Sequence, residues 1–294
     1  MSRTALLSER IAGAPISWGV CEVPGWGPML EPEVVFADMA GLGLRATEVG
    51  PVGYLPADPG DLAERLARHG LRPIAAFVPV VFDPALGPRA RERTLRAAAA
   101  LAAAHGEVLM VAPVSDDGWS RRGLAAADSD ALIAGLEELD AAVSDLEVTM
   151  ALHPHVGSLV ESTADIALVE GAEVGWCLDT GHLLIGGTDP VVFAARLGPR
   201  VVHVHLKDVD AGIAADVASG AISLRDGTEA GLFKPLGEGD VDVAAVLAAL
   251  ARAGYEGWYT LEQDTVLAGP DPSRPHADAE RSLRFIRSLE ERLH

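Results

Sequence analysis

The segment Val201–Asp208, with the sequence VVHVHLKD, is the stretch from which the fold can be worked out. Alternate residues of a β-strand point to opposite faces, so His203, His205 and Lys207 share one face and apolar residues occupy the other. If His205 binds a ligand, the polar face must be the inside of a closed sheet. His203 then lies deeper and is more simply interpreted as a hydrogen-bonded core residue.

Similar short, β-rich segments recur along the chain and alternate with longer segments of helical period. Together with Val201–Leu206, the predicted strands are Ile11–Trp18, Ala46–Val49, Leu71–Phe77, Val108–Val111, Glu147–Leu152, Gly175–Leu178 and Gly257–Leu261. The predicted helices are Pro32–Leu42, Asp61–His69, Arg89–Ala104, Ser129–Ser144, Thr163–Val169, Pro190–Leu197, Val241–Ala253 and Asp278–Leu289. Eight strands, each followed by a helix, predict an α/β fold that is a single (β/α)8 TIM barrel over residues 1–294.

Charge and composition narrow the class of partner. The chain has 294 residues, 23 Lys+Arg against 43 Asp+Glu, and a formal net charge of −20. Such a charge repels a polyanion, so we expect a small-molecule partner and no nucleic acid. The two cysteines, Cys21 and Cys177, form no C-x-x-C pair, which disfavours a disulfide framework. Because the chain shows neither a signal peptide nor an apolar run of about 18 residues, we expect a cytoplasmic protein without membrane contact.

Two connections are longer than a barrel requires, Val78–Pro88 after the third strand and Val209–Asp240 after the seventh. In a TIM barrel both lie at the C-terminal face, where the βα loops build the active site. A long connection inside a compact domain is usually functional. Residues 209–240 are therefore a candidate lid over the barrel mouth.

Reactive side chains are concentrated at the ends of the later strands. Strands three and four end at Phe77 and near Pro113, whereas the other ends carry Trp18, Glu48, His153, His155, Asp179, His182, His205, Lys207, Asp208, Glu262 and Asp264. Imidazole and carboxylate ligands directed at one axis suit Mn²⁺, Co²⁺, Fe²⁺, Zn²⁺ or Mg²⁺ better than Ca²⁺. We therefore predict one divalent cation whose ligands, from four consecutive strands, are His153, Asp179, His205 and Glu262.

Five segments of the chain together resemble the xylose-isomerase-like barrel superfamily. They are Leu152–Glu161, Cys177–His182, His203–Asp208, Gly237–Asp240 and Tyr255–Asp264, and the likeness extends to Pro15–Trp18 and Thr47–Gly50. Within the superfamily the chain is most similar to the inosose dehydratases of inositol catabolism. The resemblance implies that Asp179, His205 and Glu262 bind the metal, with Mn²⁺ or Co²⁺ as the first choices, and that the protein forms a homo-oligomer.

One departure from the superfamily pattern bears on the reaction. Its sugar epimerases carry a glutamate at the end of strand five, where this chain has His153. Epimerisation in these enzymes needs two glutamates, one that removes a proton and one that returns a proton. This chain lacks one of the two. A histidine at this place occurs in the dehydratase-like branch, so the resemblance implies a lyase that removes water from a keto-cyclitol or keto-sugar.

The implied chemistry assigns roles to the remaining polar residues. The metal would polarise the ketone, a base would remove the neighbouring proton, and an acid would protonate the β-hydroxyl. The candidates for acid and base are Lys207, His155 and Glu262. The candidates for contact with the polyhydroxy ketone substrate are Trp18, which could stack on the ring, together with Glu48, His155, His182 and Lys207.

Four alternatives remain open from the sequence. A sugar isomerase or epimerase would use the same metal site through an enediolate, and a lyase opening C-glycosides of 3-keto sugars would share the proton abstraction. A nuclease resembling endonuclease IV shares the Asp-Thr-x-His motif, but it needs histidines on early strands, where Phe77 and Pro113 stand. The last alternative is a non-catalytic barrel that binds a sugar, which the retention of Asp179, His205 and Glu262 disfavours.

Overall fold

The structure, a computed structural model, describes residues 7–82, 87–116, 119 and 123–293. Its strands are β1 (Ile11–Gly13), β2 (Ala46–Glu48), β3 (Arg72–Val81), β4 (Val108–Val114), β5 (Thr149–Leu152), β6 (Gly175–Asp179), β7 (Val201–Leu206), β8 (Asp208–Val209), β9 (Phe233–Lys234) and β10 (Tyr259–Leu261). Eight of them close a parallel barrel in the order β1-β10-β7-β6-β5-β4-β3-β2, and β8 and β9 form a separate antiparallel pair.

Helices follow the barrel strands along the chain. They are α1 (Pro32–Gly41), α2 (Pro59–Ala67), α3 (Gly87–Ala103), α4 (Ser129–Ser144), α5 (Thr163–Val169), α6 (Thr180–Ile185), α7 (Pro190–Leu197), α8 (Ala211–Ser219), α9 (Leu224–Glu229), α10 (Val243–Arg252) and α11 (Ser273–Leu293). All eight predicted strands and all eight predicted helices have a counterpart, so the predicted TIM barrel is confirmed. None of the helices in the described ranges has the length and the apolar character needed to cross a membrane.

The first predicted strand is too long. The strand ends at Gly13, and a 3-10 turn follows over Pro15–Trp18. Proline lacks the N–H that would continue a strand ladder, and its fixed φ favours the start of a helical turn. The chain therefore bends before it reaches Trp18, which does not stand at the end of a strand.

The two long connections also differ from the prediction. Strand β3 continues through Val81, which takes up part of Val78–Pro88, while residues 83–86 lie outside the described part of the chain. The segment 209–240 is not a loop, because it contains the helices α8 and α9 and the strand β9. Asp208 anchors the end of this segment by accepting hydrogen bonds from the backbone amides of Gly237, Gly239 and Val241.

Packing separates the two faces of each strand. Val204 and Leu206 of β7 belong to the large apolar core that includes helix residues such as Phe193 and Leu250. A smaller cluster with members on each of the strands β1 to β6 fills the barrel interior and consists of Ala12, Ala46, Ile74, Ala75, Val108, Met110, Ala151 and Cys177. Interior positions above this apolar layer are free to carry polar groups at the mouth of the barrel.

Candidate metal and substrate site

The register of β6 and β7 brings two predicted metal ligands together. The Cα atoms of Asp179 and His205 are partners in the parallel ladder, and the backbone amide of Glu262, one residue beyond β10, donates to the carbonyl of Leu206. The predicted inward direction of His203, His205 and Lys207 is confirmed by their contacts with carboxylates from other barrel strands. Alternation along one strand and register between strands therefore place these groups at one end of the barrel.

Asp179 performs two tasks with its two carboxylate oxygens. Its Oδ1 accepts hydrogen bonds from the amides of Gly181 and His182 and so caps helix α6, which begins at the next residue. Its Oδ2 lies 3.1 Å from Nδ1 of His205 and 3.4 Å from Nε2 of His153. Gly181 allows the close approach of α6 to β7, because a Cβ atom there would lie 2.8 Å from Cβ of Lys207. The helix cap thus fixes one oxygen and leaves the other for the site.

His205 is the centre of the site because both of its ring nitrogens face carboxylates. Its Nδ1 lies 2.9 Å from Oε2 of Glu262, and its Nε2 lies 2.8 Å from Oε1 of Glu48. Potential ligand atoms of Asp179, His205 and Glu262 all lie within 4.8 Å of one another. The same Oε1 of Glu48 also accepts from Nε2 of His203 at 2.9 Å. Glu48, at the end of β2, is therefore held by two histidines of β7, a strand that is not its neighbour in the barrel.

Lys207 lies behind the carboxylates, with only 1% of the residue exposed. Its Nζ is 2.9 Å from Oε1 of Glu262, 2.9 Å from Oδ1 of Asp264 and 3.3 Å from Oδ2 of Asp179. It also donates to Nε2 of His182 at 3.0 Å. Asp264, which the sequence showed at a strand end without an assigned role, is thus a direct partner of Lys207.

The charges at His205 and Lys207 follow from this surrounding. Burial by itself lowers the pKa of both groups, but the neighbouring carboxylates outweigh it and raise both pKa values well above the ordinary values. For the same reason the pKa of Asp179 is well below its usual value, since Lys207 and nearby histidines outweigh the effect of burial. Burial, assisted by Glu262 and opposed by Lys207, raises the pKa of Asp264 to about 6.

His155 and His182 form a separate pair beside the carboxylates. Their ring centroids are 3.7 Å apart, and the rings of Phe77 and Trp119 pack against His155. Burial, and then the neighbouring histidines and Lys207, lower the pKa of both well below the ordinary value, so both are neutral at neutral pH. Nδ1 of His155 donates to the carbonyl of Val156 at 2.8 Å, which leaves its Nε2 as a proton acceptor.

A cavity of about 1100 Å³ opens above these groups. Its buried end is lined by polar side chains from four barrel strands and the residues that follow them, namely Glu48, His153, His155, His205, Glu262 and Asp264. The segment 217–226, which joins α8 and α9, lines the other end. Trp26 and Trp119 also line the cavity; neither had been selected from the sequence, because each lies in a connection rather than at a strand end.

Trp18 does not reach this cavity, and its predicted stacking on a substrate ring is wrong for this structure. The side chain is fully buried in the main core, and its Nε1 donates to Oδ2 of Asp38 on helix α1 at 2.7 Å. The 3-10 turn that ends β1 directs the ring outward against α1 and away from the barrel axis. The aromatic surfaces available to a ligand are those of Trp26, Phe77 and Trp119.

The chemistry of the donor set fits a divalent cation. Four buried carboxylates, those of Glu48, Asp179, Glu262 and Asp264, surround Lys207 and His205, and the pKa values of Lys207 and His205 are both raised. A buried excess of negative charge is costly, and a bound divalent ion would compensate it. Nδ1 of the buried His153 has no hydrogen-bond partner among the residues that the structure describes. Imidazole nitrogen and carboxylate oxygen at this spacing are suitable ligands for a transition metal.

The fold and the candidate site agree with the family and the relatives to which the chain is similar. The chain belongs to the xylose isomerase-like TIM barrel family, whose model matches residues 36–289. The inosose dehydratase of Geobacillus kaustophilus is 29% identical over 297 residues, which cover 95% of this chain and 94% of that protein. The inosose dehydratase of Geobacillus thermodenitrificans is 31% identical over 280 residues, 87% of this chain and 91% of that protein. The family resemblance expected from the sequence is thereby confirmed.

Solved structures show the same fold at low sequence identity. The crystal structure of an IOLI protein with a binding zinc atom superimposes with a TM-score of 0.69 and 16% identity, covering 95% of this chain and 96% of that chain. At this identity the likeness concerns the fold alone. The zinc atom is a property of that protein.

Proposed function

We propose that the protein is a divalent-metal-dependent lyase that removes water from a keto-cyclitol, as the inosose dehydratases to which it is similar do by name. The observation that carries the proposal is the convergence of Asp179, His205 and Glu262, of which His205 and Glu262 line the buried end of the cavity, with His153 where an epimerase would need a second acid–base glutamate. Because His153 stands in place of that glutamate, removal and return of a proton on opposite faces of the substrate lacks one of its two carboxylates, which favours elimination.

The ion would be held by His153, Asp179, His205 and Glu262. When bound there, it would act as a Lewis acid on the substrate ketone and so acidify the neighbouring C–H bond. Asp179 is prepared for this role because its capping oxygen is already engaged with the amides of α6. Glu48 would keep its hydrogen bond to Nε2 of His205 and thereby direct Nδ1 towards the ion.

The remaining groups divide into a base and an acid. His155 is neutral, lines the cavity and has an unprotonated Nε2, so we assign it as the base that removes the proton next to the ketone. Lys207 is charged at neutral pH and is assigned as the source of the proton for the departing hydroxyl. His182 accepts from Lys207 and packs on His155, which places it between the two. The segment 209–240 would act as the lid.

The test of this function is a direct assay on 2-keto-myo-inositol, with protein purified without chelator and its metal content measured. We expect loss of one water to give the 1,2-diketone in equilibrium with its enol, monitored by ultraviolet absorbance, with added Mn²⁺ or Co²⁺, and loss of the reaction after chelator treatment. Protein that binds one ion per chain but epimerises the ketone instead would overturn the lyase proposal in favour of an epimerase. Protein that binds no ion and turns over nothing would overturn the metal enzyme altogether.

The position of Glu48 leads to a separate prediction about metal affinity. Because Glu48 accepts from both His203 and His205, we expect Glu48→Gln to weaken metal binding by about 10- to 100-fold, the usual effect of losing the partner of a ligating histidine. The measurement is a competition titration of the purified protein with a fluorescent chelator. It requires no substrate.

Glu22→Gln is the matched control, since Glu22 lines the same cavity, is exposed and undergoes the same change of charge. It should bind the ion as tightly as the unmodified protein. Equal affinities for the Glu48 and Glu22 variants would show that Glu48 does not orient His205, and its predicted contact with substrate hydroxyls would then be the better assignment.

A further inference from the structure

The cavity has two ends of different chemistry. Of the polar groups that carry the proposed reaction, His153, His155, His205 and Glu262 line the buried end, and Asp179 and Lys207 are enclosed next to them. The rest of the lining includes charged residues such as Glu22, Arg225 and Asp226. Beside them lie six apolar residues that we call the apolar wall: Ile16, Cys21, Val23, Trp26, Ile222 and Leu224. They come from the connection between β1 and α1 and from the segment around the start of α9.

The residues of the apolar wall are held in place by packing and by hydrogen bonds. Cys21, Trp26 and Val266, with Ile16 packed against them, form a cluster of their own, apart from the main core. Nε1 of Trp26 donates to the carbonyl of Thr265 at 3.0 Å, which fixes the indole ring in the wall. The two contributing segments are joined because Nε of Arg225 donates to the carbonyl of Gly25 at 2.6 Å.

The wall leaves apolar surface in contact with the cavity. Val23 is 41% exposed, although it is a large aliphatic residue, and Ile222 and Leu224 are half-buried. Each exposed square ångström of such surface costs about 25 cal/mol relative to burial. A substrate ring that carries only hydroxyl and keto groups has no apolar substituent to cover the wall. Such a ring needs the hydrogen-bond donors and acceptors of the buried end instead.

The cavity is also larger than a single polyhydroxy ring requires. At about 1100 Å³, it is slightly larger than the volumes of roughly 300–1,000 Å³ that hold drug-sized ligands. A single six-membered polyhydroxy ring bound at the buried end would leave the wall uncovered. Phe77 and Trp119, which are stacked with ring centroids 6.1 Å apart and pack against His155, add aromatic surface to the lining near the buried end.

We propose that the apolar wall is a subsite for an apolar, planar substituent, such as an aryl group, attached to the polyhydroxy ketone. The substrate class is then a keto-cyclitol or keto-sugar that carries an aromatic group, with the polar ring at the buried end and the aryl group against the wall. The inference rests on the proposed function only for the position of the ring. It concerns binding, and it can be tested by binding alone.

The experiment uses a matched pair of probes, methyl and phenyl 3-keto-β-D-glucopyranoside, which differ only in the substituent. Their dissociation constants are measured by calorimetry with the metal-loaded protein. We expect the phenyl compound to bind at least about tenfold more tightly than the methyl compound. In Val23→Ser and Leu224→Ser, which place a hydroxyl in the wall, this preference should fall to about twofold or less while the affinity for the methyl compound is unchanged.

Val192→Ser is the control, because Val192 is 57% exposed on α7 and lies outside the cavity lining. It should retain the full preference for the phenyl compound. Equal binding of the two glucosides by the unmodified protein would overturn the proposal, and so would failure of both to bind. A preference that survives in both Val23→Ser and Leu224→Ser would also overturn it.

These outcomes are distinguishable from failure of the proposed function. If the protein dehydrates 2-keto-myo-inositol but shows no preference for the phenyl glucoside, the lyase stands and the aryl subsite does not. If the phenyl preference is present and depends on Val23 and Leu224 but no dehydration occurs, the subsite stands and the reaction must be sought among other keto-sugar conversions.

Discussion

Replacing Asp179 with asparagine is expected to abolish metal binding and activity while leaving the fold intact. The amide oxygen of asparagine can still cap helix α6 through the amides of Gly181 and His182, so the helix start should be preserved. The charged oxygen that faces His153 and His205 is lost. Because a bound ion contributes several kcal/mol to such a reaction, we expect dehydration to fall by roughly 10³-fold or more. Metal content by elemental analysis and the rate on 2-keto-myo-inositol are the measurements.

Asp189→Asn provides the matched comparison. Asp189 is also a helix N-cap, whose carboxylate accepts from the amides of Val191 and Val192 at the start of α7, but it is exposed and does not line the cavity. This variant should bind one ion per chain and turn over substrate normally. Full metal content in Asp179→Asn would contradict the assignment of Asp179 as a ligand, whatever the activity.

Replacing Lys207 with methionine should have the second largest effect, on stability as well as on rate. Lys207 is completely enclosed and contacts the carboxylates of Asp179, Glu262 and Asp264, so its removal leaves buried negative charge without a partner. Losing one member of a buried charge network costs about 3–5 kcal/mol. Loss of the proposed acid should lower the rate by roughly 10²- to 10⁴-fold. Chemical denaturation and steady-state kinetics give the two quantities.

Added metal separates the two effects of the Lys207→Met change. A divalent ion at the site would compensate part of the exposed carboxylate charge, so we expect it to restore stability but not the rate. Lys234→Met is the control, since Lys234 is 33% exposed and lies 3.6 Å from Asp210 at the surface. Its stability and activity should be unchanged. A Lys207→Met protein that retains its rate would remove Lys207 from the acid–base chemistry.

The fold was predictable because its signal is local. Strand alternation and helical period require only neighbouring residues, so every barrel strand and eight of the helices were identified, with ends that shift by a few residues. Helix α6 was missed because its six residues are too few to show a period, although Asp179 is its cap. Helices α8 and α9 were taken for loop, since their sequences are rich in glycine, alanine and polar residues.

The sequence predicted which residues form the candidate site, but it did not predict the hydrogen bonds and ion pairs between them. The strand-end rule selected Asp179, His205 and Glu262, whose ligand atoms the structure brings within 4.8 Å of one another. It did not predict that Glu48 would be held by His203 and His205, or that Lys207 would contact Asp264. The cytoplasmic location and the homo-oligomer stay predictions from the sequence and the resemblance.

By itself, the sequence determined that the chain is an acidic TIM barrel with imidazoles and carboxylates at the ends of its later strands. The alternation of apolar and polar residues, and the residues that start or end a helix, are properties of short segments. Only the tertiary structure decided which groups meet. Glu48 and His205 are 157 positions apart along the chain, and their hydrogen bond depends on barrel closure. The direction of Trp18 was likewise decided by a bend at Pro15 and by a partner, Asp38, on a packed helix. Contacts of this kind follow from the closure and register of the whole barrel, which no local pattern encodes.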